Sequence, residues 1–368
     1  MLVLASWLHD LGPFAVKFTD GFGLRWYGIS YVTGFLLAYL LLRLLSARGL
    51  ILIPRERIGD AMTWVILGVI VGGRLGYAIF YEPRLFVMFS DSFPWWGLLA
   101  LNKGGMASHG GIAGVIIACW RVSRGFKDEH GRVVGRCSML HVLDAMAIVT
   151  PPGLCLGRLA NFVNGELLGK IVAMPGEPAP WWTVRFPQEL LSPPMSDGGH
   201  APPLSADQQH ALAALLRKFS LPSDKLDDAI HRMLETLQSG PGETRQRLAA
   251  ELGPLISSRH PSQLYQAFAE GIILFVGLAW IWRKPRAPGV IGAWFLILYG
   301  IMRVITEFWR LPDAQLAVQR IAGLSRGQWL SVLMVFAGVI MLWACVAASR
   351  RVSPPVLLGG WATRKGVS

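Results

Sequence analysis

Long apolar runs recur along this chain of 368 residues and constrain its fold more than any other feature. Each run has about 17 to 21 residues, which is the length that a helix needs to cross a hydrocarbon layer of about 30 Å. The runs predict an all-α fold, a polytopic membrane protein with seven transmembrane helices. The predicted spans are Trp26–Leu42, Ala61–Phe80, Gly104–Trp120, Met139–Leu159, Leu264–Trp282, Gly289–Phe308 and Trp329–Ala348.

The positions of the basic residues predict how these spans are oriented. Lys and Arg cluster after the first, third, fifth and seventh spans, and cytoplasmic connections are enriched in both residues. We therefore expect the N-terminus outside and the C-terminus in the cytoplasm. The net charge of +12 is explained by this arrangement, so nucleic acid is not expected as a partner. Residues 1–17 lack the basic start and the small-residue cleavage site of a removable signal peptide, and none is expected.

A long polar insertion, residues 162–261, separates the fourth and fifth spans. Apolar residues recur every three or four positions from Leu226 to Leu237, which predicts an amphipathic helix with Ser223 as its N-cap. The other two predicted helices are Ala206–Lys218, opened by a capping box of Ser205 and Gln208, and Glu243–Leu252. We expect these helices to form a small head on the outer side of the membrane. The alternative is that they lie flat in the lipid interface.

The insertion divides the predicted chain into three parts. Residues 1–162 form an N-terminal membrane half with spans one to four. Residues 163–260 form a periplasmic head, and residues 261–368 form spans five to seven with a cytoplasmic tail.

Glycines are concentrated in the second and third predicted spans. Gly104, Gly105 and Gly114 would loosen a helix, so the third span is the least regular of the seven. Loop-like backbone at membrane depth is tolerated only when it is buried in protein or lines a cavity. The run Gly72–Gly76 lies in the middle of a span, where close helix packing is a better interpretation than a phosphate-binding loop.

Two arginines lie where the chain is expected to cross hydrocarbon. Arg158 ends the fourth span and Arg303 lies inside the sixth. A guanidinium in hydrocarbon costs at least ~2.5 kcal/mol, so such residues usually face a cavity and have a function. Tyr299, Arg303 and Glu307 are four residues apart and share one helix face. For Arg303, an internal ion pair with Glu307 and a binding role both remain open.

Arg158 requires an anion from another part of the protein or from a ligand. It has no acidic residue three or four positions away in its own span, and Glu166 is eight residues further on. Arginine stays charged and offers a planar fork of donors that suits a phosphate. We therefore predict that Arg158 and Arg303 converge to clamp one phosphodiester.

His109 lies between glycine and serine neighbours and is the candidate general base. A lone histidine is more often a hydrogen-bonded core residue, and that interpretation stays open. The flanking glycines permit close backbone approach, and a histidine that titrates near neutral pH suits proton abstraction from a thiol. The sequence contains no metal-binding or serine-hydrolase motif. Cys155 is interpreted as a packing residue rather than a nucleophile.

Five segments together resemble those of one enzyme family. In chain order they are Leu24–Gly28, Ser108–Gly111, Gly157–Glu166, Arg259–Tyr265 and Tyr299–Gln315. Their residues and their order resemble the bacterial prolipoprotein diacylglyceryl transferases, and Gly157–Glu166 is among the most specific of them. The chain departs from the family pattern at Ala160, where glycine is usual, and at Arg25, where histidine is common. Its insertion between Phe186 and Arg259 is also longer than usual.

The resemblance implies an activity, a location and a set of site residues. The activity is transfer of the diacylglyceryl group of phosphatidylglycerol to the lipobox cysteine thiol of a prolipoprotein signal peptide, which forms a thioether and releases glycerol phosphate. The location is the bacterial cytoplasmic (inner) membrane among its lipids, and neither a cofactor nor a metal is implied. Matching positions assign catalytic roles to His109, Arg303, Glu307, Tyr27 and Tyr299, and phosphatidylglycerol binding to Arg158, Asn161, Glu166 and Gly169.

Two other classes of function remain open at this point. A membrane transporter for lipids or anions would also line a cavity with arginines, although the chain shows no internal repeat or inverted pair of broken helices. Another phosphatidylglycerol head-group transferase would share the phosphate clamp, although such enzymes usually need a metal-binding carboxylate cluster. For the base, Glu307 and Glu166 are the alternatives to His109.

Overall fold

The computed structural model describes residues 6–19, 22–91, 93–101, 104–197, 199–222, 225–311, 320–321, 323–351 and 357–361 of a mainly helical chain. The helices are α1 Trp26–Ala47, α2 Ile58–Phe80, α3 Ser108–Ser123, α4 Met139–Asn164, α5 Ala206–Arg217, α6 Leu226–Ser239, α7 Gly242–Leu252, α8 Ser262–Gln266, α9 Leu274–Trp282, α10 Val290–Glu307 and α11 Arg326–Arg350. A π-helical segment, Ala267–Ile273, joins α8 to α9. The predicted cap Ser223 and the end of the last family-like segment, residues 312–315, lie outside the described residues.

Six helical segments among the described residues are long and apolar enough to cross a membrane, and the chain is a multi-pass membrane protein. They are Trp26–Ala47, Arg55–Phe80, Met139–Asn164, Ser262–Trp282, Val290–Glu307 and Gly327–Arg350. The third predicted span corresponds to α3, whose 16 residues extend only about 24 Å. Gly104 and Gly105 precede α3 with φ of +80° each, which interrupts a helix there. A seventh crossing stays a prediction.

Glycines allow α2 and α3 to pack in direct backbone contact. A Cβ atom on Gly72 would lie 2.4 Å from the carbonyl oxygen of Gly110, and one on Gly68 would lie 2.5 Å from that of Gly114. No side chain fits at such distances, so these positions require glycine. The prediction that the Gly72–Gly76 run serves helix packing is confirmed.

Short strands accompany the helices, and the all-α prediction omitted them. The strands are β1 Trp7–Leu8, β2 Phe14–Thr19, β3 Phe22–Arg25, β4 Phe126–Lys127, β5 Val133–Val134, β6 Ile171–Ala173, β7 Val184–Arg185, β8 Ser258–Arg259, β9 Pro285–Arg286, β10 Arg320–Ile321, β11 Leu324–Ser325 and β12 Leu358–Gly359. One sheet has four strands in the order β1-β7-β8-β6, with β1 parallel to β7 and the other pairs antiparallel. Most of these strands have two or three residues, too few to show an alternating pattern in sequence.

The chain forms two compact units, each built from separate stretches of sequence. The first comprises Met1–Thr33, Gly153–Leu274 and Leu298–Val335. The second comprises Gly34–Pro152, Phe275–Ile297 and Phe336–Ser368. The sequential three-part division at residues 162 and 260 stays a prediction.

Within the first unit, the polar insertion folds around an apolar core of its own. The predicted amphipathic helix is α6, and its residues Ile230, Met233 and Leu237 are buried together with Leu216 of α5 and Leu252 of α7. The side chain of Leu226, predicted for the same stripe, is 65% exposed because it begins the helix. The predicted capping box is confirmed, since the side chains of Ser205 and Gln208 each bond to the other's backbone N–H.

A buried histidine ties the N-terminal strand to α4 and gives the first unit a predicted sensitivity to acid. The His9 side chain has no exposed area; its Nε2–H donates to the carbonyl oxygen of Phe162 at 2.8 Å, and its Nδ1 accepts from Gln188 at 3.2 Å. Burial lowers the pKa of His9 from 6.5 to about 4, so folding favours the neutral imidazole. Its stabilising contribution is complete above pH 6.5 and is lost as the pH falls from there towards 4, by up to about 3 kcal/mol.

We expect the thermal midpoint of His9→Gln to fall less between pH 6.5 and pH 4 than that of the wild type. Glutamine retains an N–H donor but does not titrate in that range. His210→Gln, at an exposed position of α5, is the control and should keep the wild-type pH profile. If His9→Gln and the wild type lose stability in parallel over this range, the assignment to His9 is wrong.

Candidate active site

Two arginines of the first unit converge on one buried carboxylate. Arg158, in the last turns of α4, donates from Nε and Nη2 to Glu270 Oε2 at 3.2 and 3.0 Å. Arg303 of α10 approaches Glu270 Oε1 with Nη1 at 3.5 Å, and Thr306 Oγ1 donates to the same oxygen at 3.4 Å. Arg158 and Arg303 thus converge as predicted, and in the structure the anion between them is Glu270; that they clamp a phosphodiester stays a prediction.

A π-helical turn and a glycine bring Glu270 to this position. Glu270 lies in the π-helical segment, a conformation that often occurs at functional sites. The next residue, Gly271, packs so closely against α4 that a Cβ atom on it would lie 2.5 Å from the Cβ of Cys155. Cys155 is one turn before Arg158, so this contact places Glu270 beside the guanidinium. Cys155 thus packs against Gly271, and its interpretation as a packing residue rather than a nucleophile stays a prediction.

The second carboxylate of the site is Glu307, in the last turn of α10. Its Oε2 lies 3.0 Å from Arg303 Nη2 and 3.8 Å from Arg310 Nη1, while Ser325 Oγ donates to Oε1 at 3.2 Å. The intrahelical pair predicted from the spacing of Arg303 and Glu307 is confirmed. We call Arg158, Arg303, Arg310, Glu270 and Glu307 the arginine cluster. Arg158 and Arg303 share the Glu270 carboxylate, and Arg303 also pairs with Glu307.

Tyr299 extends the arginine cluster along α10. It lies one turn before Arg303, and its hydroxyl interacts electrostatically with the Arg158 guanidinium. The predicted helix face of Tyr299, Arg303 and Glu307 therefore does bring all three side chains to one site.

A second group of polar side chains surrounds Glu166, just beyond the end of α4. Tyr27, at the start of α1, donates to Glu166 Oε2 at 2.7 Å, and Asn161 donates to the same oxygen at 3.2 Å and to the Tyr27 hydroxyl. Asn164 Nδ2 donates to Oε1 at 3.2 Å, and the Glu166 backbone carbonyl accepts from Gln263. The structure therefore gathers Tyr27, Asn161 and Glu166 into one hydrogen-bonded network.

Gly169 is required by the close approach of two chain segments. A Cβ atom on Gly169 would lie 2.0 Å from the carbonyl oxygen of His260. The Gly169 carbonyl accepts from Arg259 Nη1 at 3.2 Å, and Arg259 Nε is held by Glu189 at 2.7 Å. Gly169 also forms a β-bridge with Arg310 of the arginine cluster. All of these contacts of Gly169 with His260, Arg259 and Arg310 are made by its backbone.

His109 belongs to the second unit, whereas the other eight predicted site residues belong to the first. It is the second residue of α3, and its side chain is exposed. Its assignment as the base stays a prediction that depends on sequence.

The sequence analysis missed two residues of the arginine cluster. Glu270 is a carboxylate in the middle of an apolar span, which is by itself a signal for a functional residue. Arg310 follows the sixth span, where a basic residue carries no such signal. Among the described residues, no group of three or more His, Cys, Asp or Glu side chains is placed to hold a metal ion.

Comparison with known proteins identifies relatives over nearly the whole chain. The family model described as prolipoprotein diacylglyceryl transferase matches residues 13–344. A phosphatidylglycerol–prolipoprotein diacylglyceryl transferase of Bdellovibrio bacteriovorus is 39% identical over 344 residues, which cover 91% of this chain and 93% of that protein. A protein of the same name from Neisseria gonorrhoeae is 37% identical, over 90% of this chain and 93% of its own length. Another from Idiomarina loihiensis is 33% identical, over 87% of each chain.

Proposed function

The chain belongs to the prolipoprotein diacylglyceryl transferase family, and from this membership we propose how its residues carry out the transfer. The enzyme moves the diacylglyceryl group of phosphatidylglycerol to the thiol of a prolipoprotein cysteine. The sulfur forms a bond to the glycerol carbon, the carbon–oxygen bond to phosphate breaks, and glycerol phosphate leaves with the electron pair. The thiol proton passes to a base, because the thiolate is the nucleophile.

The convergence of Arg158 and Arg303 on one carboxylate is the observation that supports this function best. Arg158 and Arg303 approach each other from different helices, and Glu270 fixes both guanidinium groups. We assign the phosphate of phosphatidylglycerol to this cluster. Negative charge grows on the phosphate ester oxygen as the bond breaks, and preorganised donors in a site of low dielectric stabilise it strongly. Tyr299 and Glu307 hold the two arginines in place.

The Glu166 network is assigned to the remainder of the lipid head group. Tyr27, Asn161 and Glu166 present a hydroxyl, an amide and a carboxylate within one network. Such groups both donate and accept, as the free hydroxyls of a glycerol head group require. Gly169 keeps this segment against Arg310 and so joins the two parts of the lipid site.

His109 is assigned as the general base that takes the thiol proton. The assignment follows from its glycine-flanked position in the family-like segment Ser108–Gly111. Glu307 and Glu166 are weaker candidates, because the structure uses each of them as an acceptor for neighbouring side chains.

Incubating the purified protein with phosphatidylglycerol and a synthetic lipobox peptide tests the proposed function. We expect the peptide mass to increase by one diacylglyceryl group, with release of glycerol phosphate. A lipid transporter would move phosphatidylglycerol between vesicles without a covalent product, and another head-group transferase would release diacylglycerol. Either result in place of the thioether would refute the proposal.

The proposed orientation places the helical head, α5 to α7, in the periplasm with the N-terminus, and the C-terminus in the cytoplasm. It assumes that α3 provides a seventh crossing, and it accounts for the basic connections after alternate spans. Cysteines introduced at Glu243 in α7 and at Arg132, side chains that are 88% and 75% exposed, should respond oppositely to a membrane-impermeant thiol reagent. Glu243→Cys is expected to react in intact cells and Arg132→Cys only after permeabilisation; reaction of both in intact cells would contradict this topology.

A further inference from the structure

One buried arginine of the second unit has no part in the lipid site described above. Arg74 lies in α2, and only 5% of it is exposed. Its guanidinium makes five hydrogen bonds, and every acceptor is a backbone carbonyl: Nε to Leu98 at 2.8 Å, Nη1 to Gly104 at 2.6 Å and Gly105 at 2.9 Å, and Nη2 to Gly97 at 2.7 Å and Ala100 at 3.2 Å. An arginine side chain has five N–H donors, so these bonds use all of them.

These carbonyls belong to the segment that leads into α3. Gly97–Leu99 is a short 310 helix, and Gly104 and Gly105 both have φ of +80°. The described stretches 97–101 and 104–105 contain only one turn of 310 helix, and the guanidinium supplies hydrogen-bond donors to five of their carbonyls. Loss of the donor to the Ala100 carbonyl, whose contact with Arg74 is buried, would cost about 1–3 kcal/mol.

The residues beside Arg74 also hold the first turn of α3. The Ala107 N–H donates to the carbonyl of Gly73 at 2.9 Å. A Cβ atom on Gly76 would lie 2.7 Å from the Cα of Gly110, so α2 and α3 are in backbone contact at this point. One turn of α2 therefore contacts both the stretches 97–100 and 104–105 and the turn that carries His109.

We propose that Arg74 is a positioning residue, which orders the segment before α3 and thereby sets the direction in which His109 points. This inference depends on the proposed role of His109 as the base. The positive charge of Arg74 attracts the five carbonyl dipoles, and its planar guanidinium determines the directions from which the carbonyls approach. Lysine would keep the charge but would have three donors at one point, so it could not hold five carbonyls.

The test combines hydrogen exchange with transfer kinetics in the full-length protein. Arg74→Lys is expected to increase amide exchange in residues 97–111 and to lower kcat by about 10- to 100-fold, as a misplaced catalytic group does. Arg121→Lys is the matched control in the same unit, because Arg121 donates to the Gly125 carbonyl at 3.0 Å and its replacement should leave both quantities near wild type.

Two adjacent glycines allow the same contact to be tested from the opposite side. Both have φ of +80°, so alanine strains the backbone equally at each. A Cβ atom on Gly105 would lie 2.7 Å from Arg74 Nη1 and from the Tyr77 ring, whereas one on Gly104 meets nothing within 4 Å. Gly105→Ala should therefore reproduce the Arg74→Lys effects on exchange and kcat, and Gly104→Ala should show only the smaller loss due to strain.

A double-mutant cycle separates positioning of the base from general damage. If Arg74 acts through His109, Arg74→Lys should lower the rate little further in a His109→Gln background. The inference would be overturned if the rate losses of the two substitutions multiplied, or if amide exchange in residues 97–111 of Arg74→Lys stayed at the wild-type level. Thioether formation by the wild-type protein would still support the proposed transferase function in either case. A wild-type rate for His109→Gln would remove the base assignment and the inference together.

Discussion

Arg158→Lys is expected to lower the rate of diacylglyceryl transfer by at least about 10²- to 10³-fold, the loss typical of removing one donor to a developing negative charge. Lysine keeps the charge, but a single ammonium group cannot bond Glu270 in the way that Nε and Nη2 of Arg158 do while also facing a phosphate. The protein should stay folded, because the ammonium can still pair with Glu270. Mass spectrometry of the lipidated peptide, with the thermal midpoint measured on the same sample, checks both parts.

The control for Arg158→Lys is the same substitution at an exposed arginine of the first unit. Arg245 pairs with Asp10 at 2.9 Å and has 40% of its side chain exposed, so Arg245→Lys should retain nearly full activity. Arg303→Ala should be as inactive as Arg158→Ala, because both guanidinium groups are assigned to one phosphate. If both alanine variants transferred at the wild-type rate, the phosphate clamp would be wrong.

His109→Gln is expected to lower kcat by about 10²- to 10⁴-fold, the usual contribution of a general base. Glutamine preserves size and hydrogen bonding but cannot accept the thiol proton. Binding of phosphatidylglycerol should change little, since the lipid is assigned to residues of the first unit. The rate of the variant should rise with pH, because solvent then generates the thiolate that His109 no longer produces. A wild-type rate with no dependence on added base would exclude His109 from this role.

Sequence patterns of short range predicted much of the fold and some of the site. Run length and apolar composition located six of the seven predicted spans, because a helix in hydrocarbon must satisfy its own backbone over a fixed thickness. Spacing of four residues placed Tyr299, Arg303 and Glu307 on one face of α10, and the structure confirms their common site. The capping box and the apolar stripe of α6 were likewise predictable, since each depends on residues within one or a few turns. The resemblance to a known family supplied the activity and most of the site residues, which these patterns alone did not.

Only the tertiary structure decided which distant groups meet. Arg158 and Glu270 are 112 residues apart in sequence, and Tyr27 and Glu166 are 139 apart. The five carbonyl acceptors of Arg74 carry no sequence signal at all, because every residue has a backbone carbonyl and only the path of the chain turns these five inward. The strands of two or three residues are also invisible in sequence, since their pairing depends on neighbours brought together by the helices. The sequence by itself thus determined six long apolar helices and the local faces of helices, because both depend only on the length and periodicity of a short stretch of chain. The tertiary structure determined the partners of the buried charges, because the cost of burying a charge is met by whichever group folding brings next to it.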